Sequence, residues 1–471
     1  MVLIGMALAF VVWFYHWTVR TSGGFNKPGE EDYYNFLVRG WRQGHLYLSK
    51  EPSPEMQALI DPYDPDQNHN VRMADASYFK KHYYLYFGPA PAAILMLPYD
   101  LITGRELGST TAIYVFCVTG FLAASGLWLS IRCRYFPSSS ILLGPLGVLM
   151  LGLGTHILAL ERRPLVWELP ISMGFAFSML AFVAIDIGLH GKRPVLAMGA
   201  AGLCLGLAVA ARPICVLGTL IFLPPLWQIR RRAPTTSQWR RCALAVSSGL
   251  GICLMALFVY NFARFGNLLE FGQDYQLSGV YESKMNHFSI SYIPHNFYLY
   301  YIHPGSWSRK FPFVSASPVA GGAPGYLGNW SEAIFGLGTT FPFVWIAFAL
   351  PLMWYSASRA DWRVRVMIGS VILYYLAICL AILMYFITTE RYLADFAPSL
   401  GLLAVCGWLG LEQWAQLIRW NKIINPIVAT ACIITITAGI LVSFEYHNGM
   451  LRELSPQVWN NMARFFARMG L

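Results

Sequence analysis

The residues most able to do chemistry in this chain are its acids, because they are few and unevenly placed. Among 471 residues there are 24 Asp and Glu. Three of them, Glu30, Glu31 and Asp32, are consecutive, in "NKPGEEDYYNFLVRGW", just past the first hydrophobic stretch and at the start of an amphipathic segment. A carboxylate in apolar surroundings has a raised pKa and becomes a useful general base near neutral pH. The plainer reading is that acids complement the macrodipole in the first turn of a helix.

Other ionisable groups stand at the edges of apolar runs. "ERRPLVWELP" sets Glu161 and Glu168 beside Arg162 and Arg163, either as a self-neutralising link or with Glu168 as a functional carboxylate, since a charge at the membrane edge is costly without a task. "TTERYLADFAP" carries Glu390, Arg391 and Tyr392 between two very apolar segments. The planar fork of an arginine there suits a lipid phosphate, as well as an internal ion pair with Glu390 or Asp395. Arg212 in "LAVAARPICVLG" needs either a protein carboxylate or a bound anion. In "YFKKHYYLYFGP", Lys80, Lys81 and His82 precede Tyr83 and further aromatics, a composition that fits an anionic headgroup or an ordinary interfacial belt. No nucleotide-binding, nucleophile-elbow or zinc motif stands where its mechanism needs it. No motif demands a cofactor, and a divalent metal ion is the one left open.

These residues must be positioned by membrane helices. The chain is 56% hydrophobic and only 12% charged, against about a quarter charged in soluble domains. Apolar runs near bilayer length recur over about residues 2–18, 110–131, 139–159, 168–189, 195–211, 213–229, 243–263, 338–357, 366–388, 393–413 and 424–444. The expectation is an all-α polytopic membrane protein with about eleven transmembrane helices. With a cytoplasmic N-terminus, every short basic loop falls on one side: Arg132 and Arg134, Lys192 and Arg193, Arg230 to Arg232 with Arg240 and Arg241, Arg359 to Arg365, and Arg419 with Lys422. That is the positive-inside pattern. The first span lacks a basic n-region and an A-x-A site, so it reads as retained. The formal charge of +10 therefore reports topology; no basic stripe interleaved with aromatics points to nucleic acid. All nine cysteines lie in or at the ends of apolar runs, so disulfides do not hold the loops.

Residues 1–445 read as the transmembrane domain, with two long outer loops over about 19–109 and 265–337. Asp32 to Leu48 has the spacing of an interfacial helix, and "SPEM" at Ser53 reads as a cap with proline at the first helical position. "FGPAPAAILMLPYDLITG" is too short and proline-broken to span. Residues 446–471 read as an amphipathic tail on the outer face, with Val458, Trp459, Met462, Phe465, Phe466 and Met469 on one side.

In their order and sidedness, several of these stretches resemble the polytopic lipid-linked glycosyltransferases of the GT-C fold, particularly the protein mannosyltransferase and aminoarabinose transferase group. They are the acidic cluster after the first span, the segment ending in "GHLYL", "YYLYFGPAPAAILMLP", "LAVAARP", "YNFARFGNLLEFG" and "ERYLADFAP", over about residues 25–400. The resemblance implies a transferase of cell-envelope biogenesis in a bacterial inner membrane, working on the outer face. Its donor would be a sugar carried on polyprenyl phosphate, and its acceptor a hydroxyl of a glycan, lipid or protein, with membrane lipids around it and inversion at the anomeric carbon. Asp32 would be the base, with Glu31 second. Arg391 would hold the donor phosphate, with Arg212 and Lys81 as further candidates for that anion. Glu168, Tyr83 and Tyr392 would position the acceptor or an ion. The chain departs from the family in having three adjacent acids, and it has no large C-terminal soluble domain, which favours transfer of a single sugar.

A transporter or flippase of a lipid-linked saccharide would use the same surface, but transporters place polar sites at mid-depth between broken helices, where these spans carry almost no ionisable residues. A non-catalytic partner in envelope synthesis is the third reading.

Overall fold

The computed structural model describes residues 1–25, 32–232, 237–319, 321–322, 325–327, 331–354 and 361–469. Glu30 and Glu31 lie outside the described residues. Among the described residues nine helices are long and apolar enough to cross a membrane: Val2–Thr21, Ser109–Tyr135, Glu168–His190, Pro194–Ala211, Pro213–Arg232, Gln238–Phe265, Trp362–Leu383, Glu390–Leu417 and Asn421–Glu445. Sheet is confined, in the same residues, to two small hairpins. The chain is an all-α polytopic membrane protein.

The other two expected spans are short apolar helices, Leu143–Leu153 and Pro342–Met353. Each has a physical reason. The second is wound as a 3₁₀-helix over Pro342–Trp354, which rises about 2.0 Å per residue rather than 1.5 and so reaches further than its length implies. The first stops with Gly154 as its C-cap, and His156, with a left-handed φ of 66°, redirects the chain before Ile157–Arg162 starts a new helix. That break turns "ERR" inward, and Glu161 and Arg162 are fully buried rather than lying on a solvated link. Arg162 donates from Nε to the Ser443 carbonyl at 2.8 Å and from Nη1 to Thr21 Oγ1 at 2.8 Å, which ties the first span to the last. Ala92–Thr103, the proline-broken stretch, is also short.

Small residues let the spans approach. A Cβ at Gly202 would run into the Val246 carbonyl, and one at Gly249 into the Gly199 carbonyl, so Pro194–Ala211 and Gln238–Phe265 pack backbone to backbone, as Gly-x-x-x-Gly stretches permit in membranes.

The first long loop is built on local signals. Asp32 caps Tyr33–Arg42, a helix that ends before the expected Leu48, and Ser53 Oγ accepts the Met56 N–H at 3.1 Å to start Pro54–Gln57. Ala76–Phe79 and His82–Leu85 then pair antiparallel around Lys80 and Lys81, whose φ values are 48° and 64°. Two consecutive left-handed residues give the tight turn that matches strand twist. The terminal helix Pro456–Arg468 rests Trp459 and Phe466 on Phe311, at ring separations of 4.7 and 5.5 Å, and leaves Phe465 exposed.

Candidate active site

Where both long loops meet the ends of the spans, they enclose a cavity of about 670 Å³. Backbone pairing holds its walls. Leu277 of the second loop donates its N–H to Ala76 and accepts that of Asp75, at 2.9 and 2.8 Å, extending the hairpin edge. Further along, Ser289 donates to Met384 at 2.9 Å and Phe386 to His287 at 3.1 Å, which seats the same loop on the end of Trp362–Leu383. Gly88 fits where a Cβ would strike the Ala210 and Ala211 carbonyls, so the "FGPAP" segment lies directly on the helix end preceding Arg212.

Two arginines from apolar stretches line the cavity, and they are held differently. Arg212 forms a bidentate pair with Asp395, Nε to Oδ1 at 3.2 Å and Nη2 to Oδ2 at 2.7 Å. Arg391 donates from Nη1 to Glu332 Oε1 at 2.7 Å, and Arg163 Nη1 reaches the same oxygen at 2.8 Å. Both guanidiniums lie 5.0 Å from the Trp167 ring centroid, so two cations share one carboxylate and one indole. Tyr392 also lines the cavity, with Arg212 5.2 Å and Arg391 5.6 Å from its ring centroid.

The other expected residues that the structure describes lie outside the lining. Glu168 follows Trp167, fully buried, with neither carboxylate oxygen hydrogen-bonded among the described residues. Lys81 sits on the exposed hairpin turn, and Tyr83 is buried in the hairpin opposite Tyr78. Asp32 caps two helices at once. Oδ1 accepts the Asn35 N–H at 3.2 Å and the Ser109 hydroxyl at 2.8 Å; Oδ2 accepts the Asn35 amide at 3.0 Å and the Ser109 N–H at 3.2 Å. Burial raises its carboxyl pKa above the ordinary value, against the pull of those hydrogen bonds.

Three acids that the sequence reading passed over belong to the site. Asp75 lines the cavity, with Oδ2 accepting from Trp167 Nε1 and Oδ1 from Gln276 Nε2, both at 2.8 Å. Burial raises its carboxyl above the ordinary value and the Glu282 charge adds to the rise, while both hydrogen bonds and the Arg391 charge oppose it. Glu282 also lines the cavity and pairs with His287 Nε2 at 2.8 Å. Glu332 is the carboxylate between the two guanidiniums. Local sequence marks none of them, since each is an isolated acid in a polar loop. Among the described residues no group of three or more His, Cys, Asp or Glu side chains could hold a metal ion.

Neither a family model nor a curated protein sequence matches this chain. Solved structures do. The oligosaccharyltransferase of Archaeoglobus fulgidus, tethered with an acceptor peptide containing the NVT sequon, is similar with a TM-score of 0.52 and 12% identity over 95% of this chain and 55% of that one. AglB from the same organism, in complex with an inhibitory peptide and a dolichol-phosphate, is similar with a TM-score of 0.51 and 12% identity over 98% and 59% of the respective chains. ArnT from Cupriavidus metallidurans bound to undecaprenyl phosphate covers 98% and 78%, with a TM-score of 0.45 and 12% identity. The chain thus has the fold of the GT-C membrane glycosyltransferases, and it spans little more than half the length of the archaeal enzymes.

Proposed function

We propose that this chain is a glycosyltransferase that moves a single sugar from a polyprenyl-phosphate donor to an acceptor hydroxyl, on the outer face of a bacterial inner membrane. One observation carries the reading: a single cavity joins an apolar wall at the span ends to a cationic and acidic wall from the loops. Ile214, Val216, Leu217 and Ile382 supply the first, a surface suited to an isoprenoid. Arg391 and Asp75 stand on the second.

In this reading the donor phosphate lies against Arg391. The planar fork suits a phosphate, and its fixed charge meets the negative charge that grows on the leaving polyprenyl phosphate, where preorganised stabilisation counts most. A cavity carboxylate takes the acceptor's proton, and attack from the face opposite the phosphate inverts the anomeric carbon. That a protein of the same fold is solved with dolichol-phosphate supports a lipid-phosphate donor.

The test uses the full chain in nanodiscs with a panel of radiolabelled polyprenyl-phosphate sugars and membrane extract as acceptor. Label passing from one donor into another molecule supports the transferase and names its sugar. Donor that binds and is never consumed, with acceptor present, points to a carrier of lipid-linked saccharide.

A further inference from the structure

The carboxylates near the cavity differ in what their oxygens already hold. An ionised carboxylate offers about four lone-pair positions. At Asp32 four donors, two from Asn35 and two from Ser109, fill them. Glu332 receives Arg163 and Arg391 on one oxygen and the Glu390 N–H on the other. Glu282 lines the cavity and is met by the His287 ring on Oε2 alone among the described residues, a single contact that does not fix the carboxylate plane. Asp75 receives one donor on each oxygen, enough to fix its plane, and it keeps acceptor capacity on a side chain that lines the cavity.

Its backbone is also unusual. Asp75 has φ of 58°, a left-handed conformation held by its N–H bond to Leu277. Such strain at a non-glycine residue persists where the surroundings over-determine it, and it collects at functional sites. Two remote segments, one carrying Trp167 and the other Gln276 and Leu277, converge to hold this one residue. Trp167 does double duty: its N–H orients Asp75 while its ring face meets Arg391, so one rigid indole sets the spacing between a carboxylate and the anion-binding cation.

Resting on the transferase reading above, we propose that Asp75 is the general base of the transfer. Its carboxylate takes the proton of the acceptor hydroxyl as that oxygen bonds to the anomeric carbon. The bond from the anomeric carbon to the phosphate oxygen breaks, and its electron pair leaves with the polyprenyl phosphate, facing Arg391. The ionisable groups on the surrounding walls are Arg72, Arg212, Arg391 and Glu282, with the phenols of Tyr86, Tyr385 and Tyr392. Arg391 favours the ionised carboxylate; burial and Glu282 oppose it.

Asp75→Gly tests this in the full chain in nanodiscs, with the donor that the wild type consumes. Glycine takes a positive φ without strain, so the backbone survives and a space the size of a small carboxylate opens. Transfer is expected to fall by about 100-fold or more, while retention of labelled donor stays at the wild-type level. Added formate should restore part of the transfer in this variant and leave the wild type unaffected, a response that a merely structural role would not produce. Transfer near the wild-type rate, or a loss that formate fails to restore, overturns the assignment. Should the glycine variant not fold, Asp75→Glu serves: a displaced pH–rate profile supports the base, and an unshifted profile at the wild-type rate overturns it. No transfer by the wild type from any donor instead sinks the transferase reading, and the base with it.

Discussion

Arg212 and Arg391 look alike in the sequence, and the structure makes opposite predictions for removing them. Arg212→Ala should act on stability. The Arg212 and Asp395 side chains are 18% and 5% exposed, and two charge-assisted hydrogen bonds join them. Removing one partner of a fully buried pair costs about 3–5 kcal/mol, mostly through the charge left behind. Arg212 borders a cavity that water can enter, so a figure of about 2–3 kcal/mol is expected. For a chain of this size that corresponds to a fall in Tm of about 2–6 °C, by extension of the trend with length. Donor retention should change little. Arg212→Leu combined with Asp395→Leu should recover most of the loss, because replacing a whole buried pair by apolar side chains is often neutral or better. The assay is melting of the purified protein in detergent, with donor retention in nanodiscs beside it. An Arg212→Ala protein with wild-type Tm and donor affinity lowered tenfold would refute this reasoning and make Arg212 a phosphate ligand.

The remaining predictions concern neighbouring groups. Arg391→Ala should weaken donor binding by about 10–150-fold, the equivalent of about 1.5–3 kcal/mol for a hydrogen bond to a charged group, and Arg391→Lys should recover only part of it because lysine lacks the fork; equal donor retention in all three proteins would remove Arg391 from the phosphate site. Asp32→Ala should lower Tm by unfastening two helix starts, each cap being worth about 1 kcal/mol, and Asp32→Ala with Ser109→Ala should cost less than the sum of the single changes; strict additivity in a melting series would contradict the shared contact. The pH dependence follows from the direction of the Asp32 shift. Its pKa is raised in the folded chain, so the folded state holds that proton more tightly than the unfolded one. The resulting stability is complete below the ordinary carboxylate range and is lost as pH rises through the raised value. Asp32→Asn should therefore flatten the fall of Tm across that window; an unchanged slope would count against it.

The helical architecture was legible because it depends on composition over windows of about twenty residues, which membrane solvation makes decisive. The break in the 139–159 stretch was not. A glycine does stand at the helix end, Gly154, but the break is completed by His156 in a left-handed conformation, which its residue type does not signal. The interfacial helix was visible from its first-turn acids and periodicity, whereas the hairpin around Lys80 and Lys81 lacks the Asn-Gly or Asp-Gly pair that marks such turns. Likewise Arg391, Arg212 and Tyr392 stood out as polar residues beside apolar runs, and all three line the cavity. What each arginine binds was hidden, since Asp395 lies 183 residues from Arg212 and Glu332 lies 59 from Arg391.

The sequence by itself determined where the apolar segments lie, the helix cap at Ser53, and the gathering of charge at segment ends. Each of these follows from interactions within a few residues or from transfer between water and lipid. Only the tertiary structure decided which carboxylate faces the cavity. Asp75 in "MADASY" is ordinary until Trp167, 92 residues on, and Gln276, 201 residues on, close upon it. Those partners meet because two long loops fold back over the same span ends, and contacts between such distant segments leave no periodicity or motif in the chain that makes them.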